Sequence, residues 1–283
     1  MMLKLDNVKK DYNDFHMDSS LQVSENCVTG LIGANGAGKS TMFKSILGLI
    51  HIDGGEIEVF GKKHTDLTVQ DKEAIGVVLA ESTFANVLTV NDVTRIMRAM
   101  YPSFREDRFQ RKCKEFGIPS KKMIKDFSTG MKAKFKLLIA MSYDARLLIL
   151  DEPTVGLDPI VRNDLIDEMR SYMEVEGRSI LISSHISTDL EGLCDDLYFM
   201  QNGKIVMHED NDVILSNYGM IKVEEKQFNQ IDKRYIVFQK RESFGYSLLT
   251  DKKQFYLDNY PNVVIEKGRI DDVMLMMAKG ERV

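Results

Sequence analysis

Gly33-Ala34-Asn35-Gly36-Ala37-Gly38-Lys39-Ser40 is the stretch on which the fold turns. Glycines at its first, fourth and sixth positions precede a lysine and a hydroxyl residue. That is the pattern of a loop whose backbone N–H groups curl around phosphates. The context agrees. The apolar run Cys27 to Ile32 reads as a strand entering the loop. Beyond it, Ser40 to Ile50 has helical apolar spacing at Met42, Phe43, Ile46, Leu47 and Ile50, ended by Asp53-Gly54-Gly55. Strand, glycine loop and helix in this order place a helix N-terminus at the phosphates. Gly33, Asn35, Gly36, Ala37, Gly38, Lys39, Ser40 and Thr41 are therefore candidate nucleotide contacts. Lys39 is placed to bridge the β- and γ-phosphates, and the Ser40 hydroxyl to ligate Mg²⁺.

Downstream, Leu147-Leu148-Ile149-Leu150-Asp151-Glu152-Pro153 supplies the complementary half. An apolar strand delivers two carboxylates at its carboxyl end, where α/β sheets bind ligands. Asp151 suits Mg²⁺ binding, directly or through water, and Glu152 suits activation of an attacking water. His185 follows another apolar run, Ser179 to Ser183, and would face the same crevice, where an imidazole can contact a γ-phosphate.

Working outward, strands and helices alternate. Glu56 to Phe60 and Ile75 to Leu79 read as strands, Thr89 to Met141 as mostly helical, and Pro159 to Val175 as a helix. Tyr198 to Met207 reads as a hairpin about Asn202-Gly203. The first thirty residues alternate polar and apolar positions, as short antiparallel strands do. The fold class expected is α/β. It has a phosphate-loop NTPase core with a mainly parallel sheet, an N-terminal antiparallel β layer, and a helical insertion at about residues 82–142. Residues 1–215 read as the nucleotide-binding domain, and 216–283 as a small accessory α+β module. In that tail Ile236 to Lys240 and Tyr246 to Thr250 could pair as strands. A helix near Phe255, a strand at Val263 to Ile265 and a helix from Asp271 follow.

Composition narrows the classes. The 43 acidic residues outnumber 38 basic ones, for a net charge of -5, and no basic tract marks a nucleic-acid partner. Cys27, Cys113 and Cys194 are scattered, which argues against a disulfide framework or zinc site and fits a reducing compartment. No apolar run approaches the ~20 residues of a membrane helix, so any membrane connection is expected through a partner.

In their order these parts resemble one family, the ATP-binding cassette (ABC) ATPases, over about Leu3 to Leu215. Besides the loop and Leu147 to Glu152, Phe127-Ser128-Thr129-Gly130-Met131 is similar to the family's signature motif. Gly156-Leu157-Asp158 resembles its D-loop and His185 its switch histidine, while Tyr12 matches the aromatic that stacks on adenine. The resemblance implies ATP and Mg²⁺ as cofactors, and Glu152 and His185 as catalytic residues. It also implies two cassette subunits, identical or different, clamped head to tail, with Ser128 and Gly130 acting on the partner's nucleotide. A separate multi-helix membrane permease would place the chain in the cytoplasm, on the inner face of the membrane. Val59-Phe60-Gly61, Leu88-Thr89-Val90 and Ile270 to Leu275 look like bacterial exporters of antibiotics or lipids.

Two departures stand out. Thr129 and Met131 replace a glycine and the glutamine of the usual Leu-Ser-Gly-Gly-Gln. Where the family expects a glutamine after the strand at Ile75, this chain has Ala80 or Glu81. The alternative reading is a soluble, non-transport ABC ATPase acting on a macromolecule. It lacks support in the sequence, which has neither the long coiled coils of repair relatives nor the tandem cassettes of translation relatives. A GTPase would carry Asn-Lys-x-Asp, which is absent.

Overall fold

The computed structural model describes residues 1–80 and 87–283. At its centre lies a six-stranded sheet in the order Lys204–Asp210, Asp196–Gln201, Val28–Ile32, Ser179–Ser184, Leu147–Asp151, Ile75–Val78. The last five of these run parallel, and only Lys204–Asp210 is antiparallel at its edge. The expected α/β fold is therefore present. Residues Leu147 to Asp151 are all buried, as a strand covered on both faces requires.

Period-two alternation assigns each strand residue to one of two cores. Leu147, Ile149, Leu181, Tyr198 and Met200 face one side. There they meet Leu3, Leu5, Met17, Leu21, Ile57 and Val59 of a four-stranded antiparallel sheet, together with Phe43 and Ile46. That sheet has the order Phe15–Val23, Leu3–Tyr12, Gly54–Val59, Lys62–Lys63. On the other side Leu148, Leu150, Ile180, Ile182 and Phe199 pack against Phe135, Leu138, Leu165 and Met169 of flanking helices. Each fully buried Leu or Ile here contributes roughly 1.5–3 kcal/mol.

The helix after the glycine loop spans Lys39–Ile46, shorter than its apolar spacing predicts. Gly48 takes φ 66, and the N–H groups of Leu47 and Gly48 fold back onto the carbonyls of Phe43 and Ser45. The helical stretch resolves into Val90–Met100, Glu106–Glu115 and Thr129–Ala140. Thr89 and Asp92 start the first of these with a reciprocal capping box. Helix Pro159–Met173 begins where Asp158 accepts hydrogen bonds from Ile160 and Val161 N–H, at 3.0 Å each, with proline in its first turn.

A third, five-stranded antiparallel sheet closes the chain, in the order Val264–Lys267, Gly219–Val223, Gly245–Thr250, Ile236–Glu242, Glu281–Arg282. Gly219–Val223, which pairs on both sides, carries no strand signal strong enough to read from sequence. Helix Ile270–Lys279 buries Ile270, Val273 and Met276 in the same core as Leu190, Cys194 and Ile214. The tail thus shares apolar packing with the segment that follows His185. Among the described residues, no helix is long and apolar enough to cross a membrane.

Candidate functional site

The glycine loop leaves the carboxyl end of strand Val28–Ile32 and enters helix Lys39–Ile46, and its glycines have separate steric reasons. Gly36 and Gly38 adopt φ 81 and 113, a region disfavoured for residues with a Cβ. At Gly33 a Cβ would come within 2.4 Å of the Met200 carbonyl oxygen. Lys39 is almost fully buried and folds back over the loop. Its ammonium donates to the Gly33 carbonyl at 2.7 Å and lies 3.2 Å from Glu152 Oε1.

Two adjacent strands bring the acids to the same place. Asp151 ends strand Leu147–Asp151 and accepts a hydrogen bond from Ser183 Oγ at 2.7 Å. Glu152 follows at φ 51, anchored where its N–H donates to Ser183 Oγ at 3.0 Å. This unusual backbone conformation turns its side chain back toward Lys39. His185 Nδ1 sits 2.8 Å from Glu152 Oε2, and the His185 N–H donates to the same oxygen at 3.3 Å. One carboxylate therefore holds a lysine on one oxygen and a histidine on the other.

Around them opens a cleft of about 1210 Å³. Asn35, Gly36, Ala37, Gly38, Lys39, Ser40 and Thr41 line it, together with Asp151, Glu152 and His185. Tyr12 lines it too, 46% exposed, with the Lys10 ammonium 5.3 Å from its ring centre. Ala80 lines the cleft near strand Ile75–Val78, while Glu81 lies outside the described residues. The oxygen donors of Ser40 and Asp151 share this cleft, and no cluster of three or more His, Cys, Asp or Glu suited to a metal occurs among the described residues. A hydroxyl and a carboxylate without further protein ligands fit a hard cation such as Mg²⁺, which completes its shell with phosphate oxygens and water.

Three candidates lie apart from this cleft. Ser128 caps helix Thr129–Ala140, accepting from Met131 N–H at 3.2 Å, and is exposed. Gly130 faces Val161, whose methyl carbons would lie 3.3 Å from an added Cβ. Asp158 caps the neighbouring helix. None of the three lines the cleft, although Thr129 between the first two does.

Sequence reading missed two contributors. Phe15 packs against the loop, its ring 2.7 Å from where a Cβ on Gly38 would stand. Asp189, almost wholly buried, accepts from the Thr154 hydroxyl at 2.6 Å and lies 3.6 Å from Arg162 Nε. It thereby ties the segment after Glu152 to the one after His185. Its position four residues beyond His185 was the available signal, but nothing local named its partners.

The sequence model describing the ABC transporter family matches residues 16–155. The chain is 33% identical over 244 residues to the lantibiotic transport ATP-binding protein SrtF of Streptococcus pyogenes, covering 85% of this chain and all of that protein. It is 29% identical to the linearmycin resistance ATP-binding protein LnrL of Bacillus subtilis, over 83% of this chain and 78% of that one. A solved ATP-binding subunit of an ABC transporter superposes with a TM-score of 0.67 at 26% identity, covering 81% of this chain and 94% of its own.

Proposed function

The chain belongs to the ABC transporter family as an ATP-binding, ATP-hydrolysing subunit of export type, and from that premise we propose how its own residues do the work. The carrying observation is the Lys39–Glu152–His185 contact at the mouth of the glycine loop. Backbone N–H groups of Gly33 to Thr41 receive the phosphates, and Lys39 turns from the Glu152 carboxylate to the β- and γ-phosphates. Glu152, released from Lys39, takes a proton from the attacking water. His185 orients that carboxylate through Nδ1 and reaches the γ-phosphate. Tyr12 stacks on adenine, with Phe15 bracing the loop beneath. Ser40 and Asp151 would hold Mg²⁺, which would supply neutralisation of phosphate charge when bound.

Ser128 and Gly130 open a helix of their own and stay out of the chain's own cleft, so their use requires nucleotide held by a second cassette chain. Asp158 would sit at the seam between the two. Closure of that dimer on ATP drives a separate multi-helix permease, with this chain on the cytoplasmic face of the membrane. The lantibiotic and linearmycin relatives support export as the direction.

Lys39→Ala tests the core of this reading. It removes the cation and leaves the Gly33 carbonyl without its donor. ATP binding by the purified chain should fall at least tenfold, about 1.4 kcal/mol. Unchanged ATP affinity would overturn the assignment of the loop.

A further inference from the structure

Helix Thr129–Ala140 presents one side to the cleft. Thr129, Lys132, Ala133 and Lys136 recur at helical spacing and all line it, on the wall shared with Val78, Leu79 and Ala80. Lys134, which points elsewhere on the same helix, is neutralised by Asp164 at 2.6 Å and lies over the Phe116 ring. Lys132 and Lys136 form no ion pair with any described carboxylate. Two lysines one turn apart repel each other, and both are partly buried. Burial first, then the charge of Lys132, holds the Lys136 ammonium below the ordinary lysine range. Side chains so placed cost stability unless an anion comes between them. The anion that this cleft receives is a polyphosphate, and Ala80 on the same wall has no polar group to offer it.

We propose that Lys136, backed by Lys132, is a nucleotide-contacting residue that binds the terminal phosphate of the ATP held in its own chain's cleft. The inference rests on the ATP site proposed above and adds to it. The helix that offers its first residues to a partner's nucleotide offers its flank to its own. Because only ATP carries the γ-phosphate, Lys136 favours ATP over ADP. A lysine that merely supported the helix would not change that preference.

The test is equilibrium binding of ATP and ADP, in Mg²⁺, to the full chain and to Lys136→Met, Lys136→Arg and Lys134→Met. Methionine keeps the length of the side chain and removes its charge, so the variant should fold with a Tm equal to or above that of the parent chain. Lys136→Met is expected to weaken ATP binding about tenfold, the scale of one hydrogen bond to a charged group, with ADP binding changed less than about twofold. Lys136→Arg should restore the ATP preference, and Lys134→Met should leave it unchanged. Equal losses for ATP and ADP, or no loss, in a folded Lys136→Met chain would overturn the inference. Failure of the parent chain to bind ATP at all would instead overturn the site reading beneath it, and the inference with it.

Discussion

Replacing Glu152 by glutamine separates binding from chemistry at this site. The carboxylate lies 3.2 Å from the Lys39 ammonium and 2.8 Å from His185 Nδ1, with only 13% of its side chain exposed. Glutamine preserves the shape and keeps one acceptor oxygen for Lys39, while its other terminus becomes an N–H donor facing His185 Nδ1. It loses the charge and the affinity for a proton. Loss of a positioned general base slows turnover by about 10² to 10⁴-fold. The binding step should move the other way. A carboxylate about 5 Å from a phosphate charge, at an effective dielectric near 20, opposes it by about 3 kcal/mol, and water in the open cleft screens this to about 1 kcal/mol. Glu152 also competes with the phosphates for Lys39. ATP should therefore bind about fivefold tighter to the variant. Phosphate release in a single turnover, measured beside equilibrium ATP binding, reads both effects. Turnover within about threefold of the parent rate would refute the role of Glu152 as base. Weakened ATP binding would refute the idea that Glu152 competes for Lys39.

Other perturbations reach further from the base. Mixing inactive Ser128→Arg chains with inactive Lys39→Ala chains should restore partial ATPase activity, because one composite site in the mixed dimer keeps both intact halves; activity of either variant alone as a monomer would exclude shared sites. Asp189→Ala strands the Thr154 hydroxyl and the partly buried Arg162, costing about 3 kcal/mol and lowering Tm by roughly 5–10 °C; a drop below about 2 °C by calorimetry would show that the Asp189 network is dispensable. Burial pushes the Cys113 thiol up to about 12, and burial with nearby Asp196 does the same for Cys27, from an ordinary 9.0. At pH 8 their native thiolate fractions should be about a thousandfold below those of the unfolded chain, so a thiol reagent should react fast only after unfolding. Since both values are raised, the stability they contribute is complete below pH 9 and lost as pH climbs toward 12. A native thiol reacting at the unfolded rate would contradict this burial.

What could be read without coordinates is whatever is written in adjacent residues. The glycine loop declares itself because a tight phosphate-binding turn needs glycines, a lysine and a hydroxyl at fixed offsets, and those offsets are local. The strands Leu147–Asp151 and Ser179–Ser184 declare themselves because a strand buried on both faces must be apolar throughout. The helices beginning near Thr89 and at Pro159 are legible from local spacing, and the caps the structure adds there, Thr89 with Asp92 and Asp158, act within one turn. The same locality explains the errors. The apolar spacing through Ile50 looked helical, yet Gly48 had the conformational freedom to end the helix.

Tertiary structure alone decided the rest, because it depends on contacts between residues far apart in the chain. No periodicity shows that Glu152, at a left-handed φ, reaches back across more than a hundred residues to Lys39, or that Asp189 ties Thr154 to Arg162. Nor does local sequence reveal which side of helix Thr129–Ala140 meets the cleft. Helical spacing groups Lys132 with Lys136, but only the packing of that helix against strand Ile75–Val78 turns the pair inward. The sequence marks 216–283 as an accessory module because the phosphate-loop chemistry stops before it, and only the fold shows Ile270, Val273 and Met276 buried with Leu190 and Ile214. Apolar surface is removed from water wherever complementary shapes allow, and shape complementarity between distant segments exists only once the chain has folded.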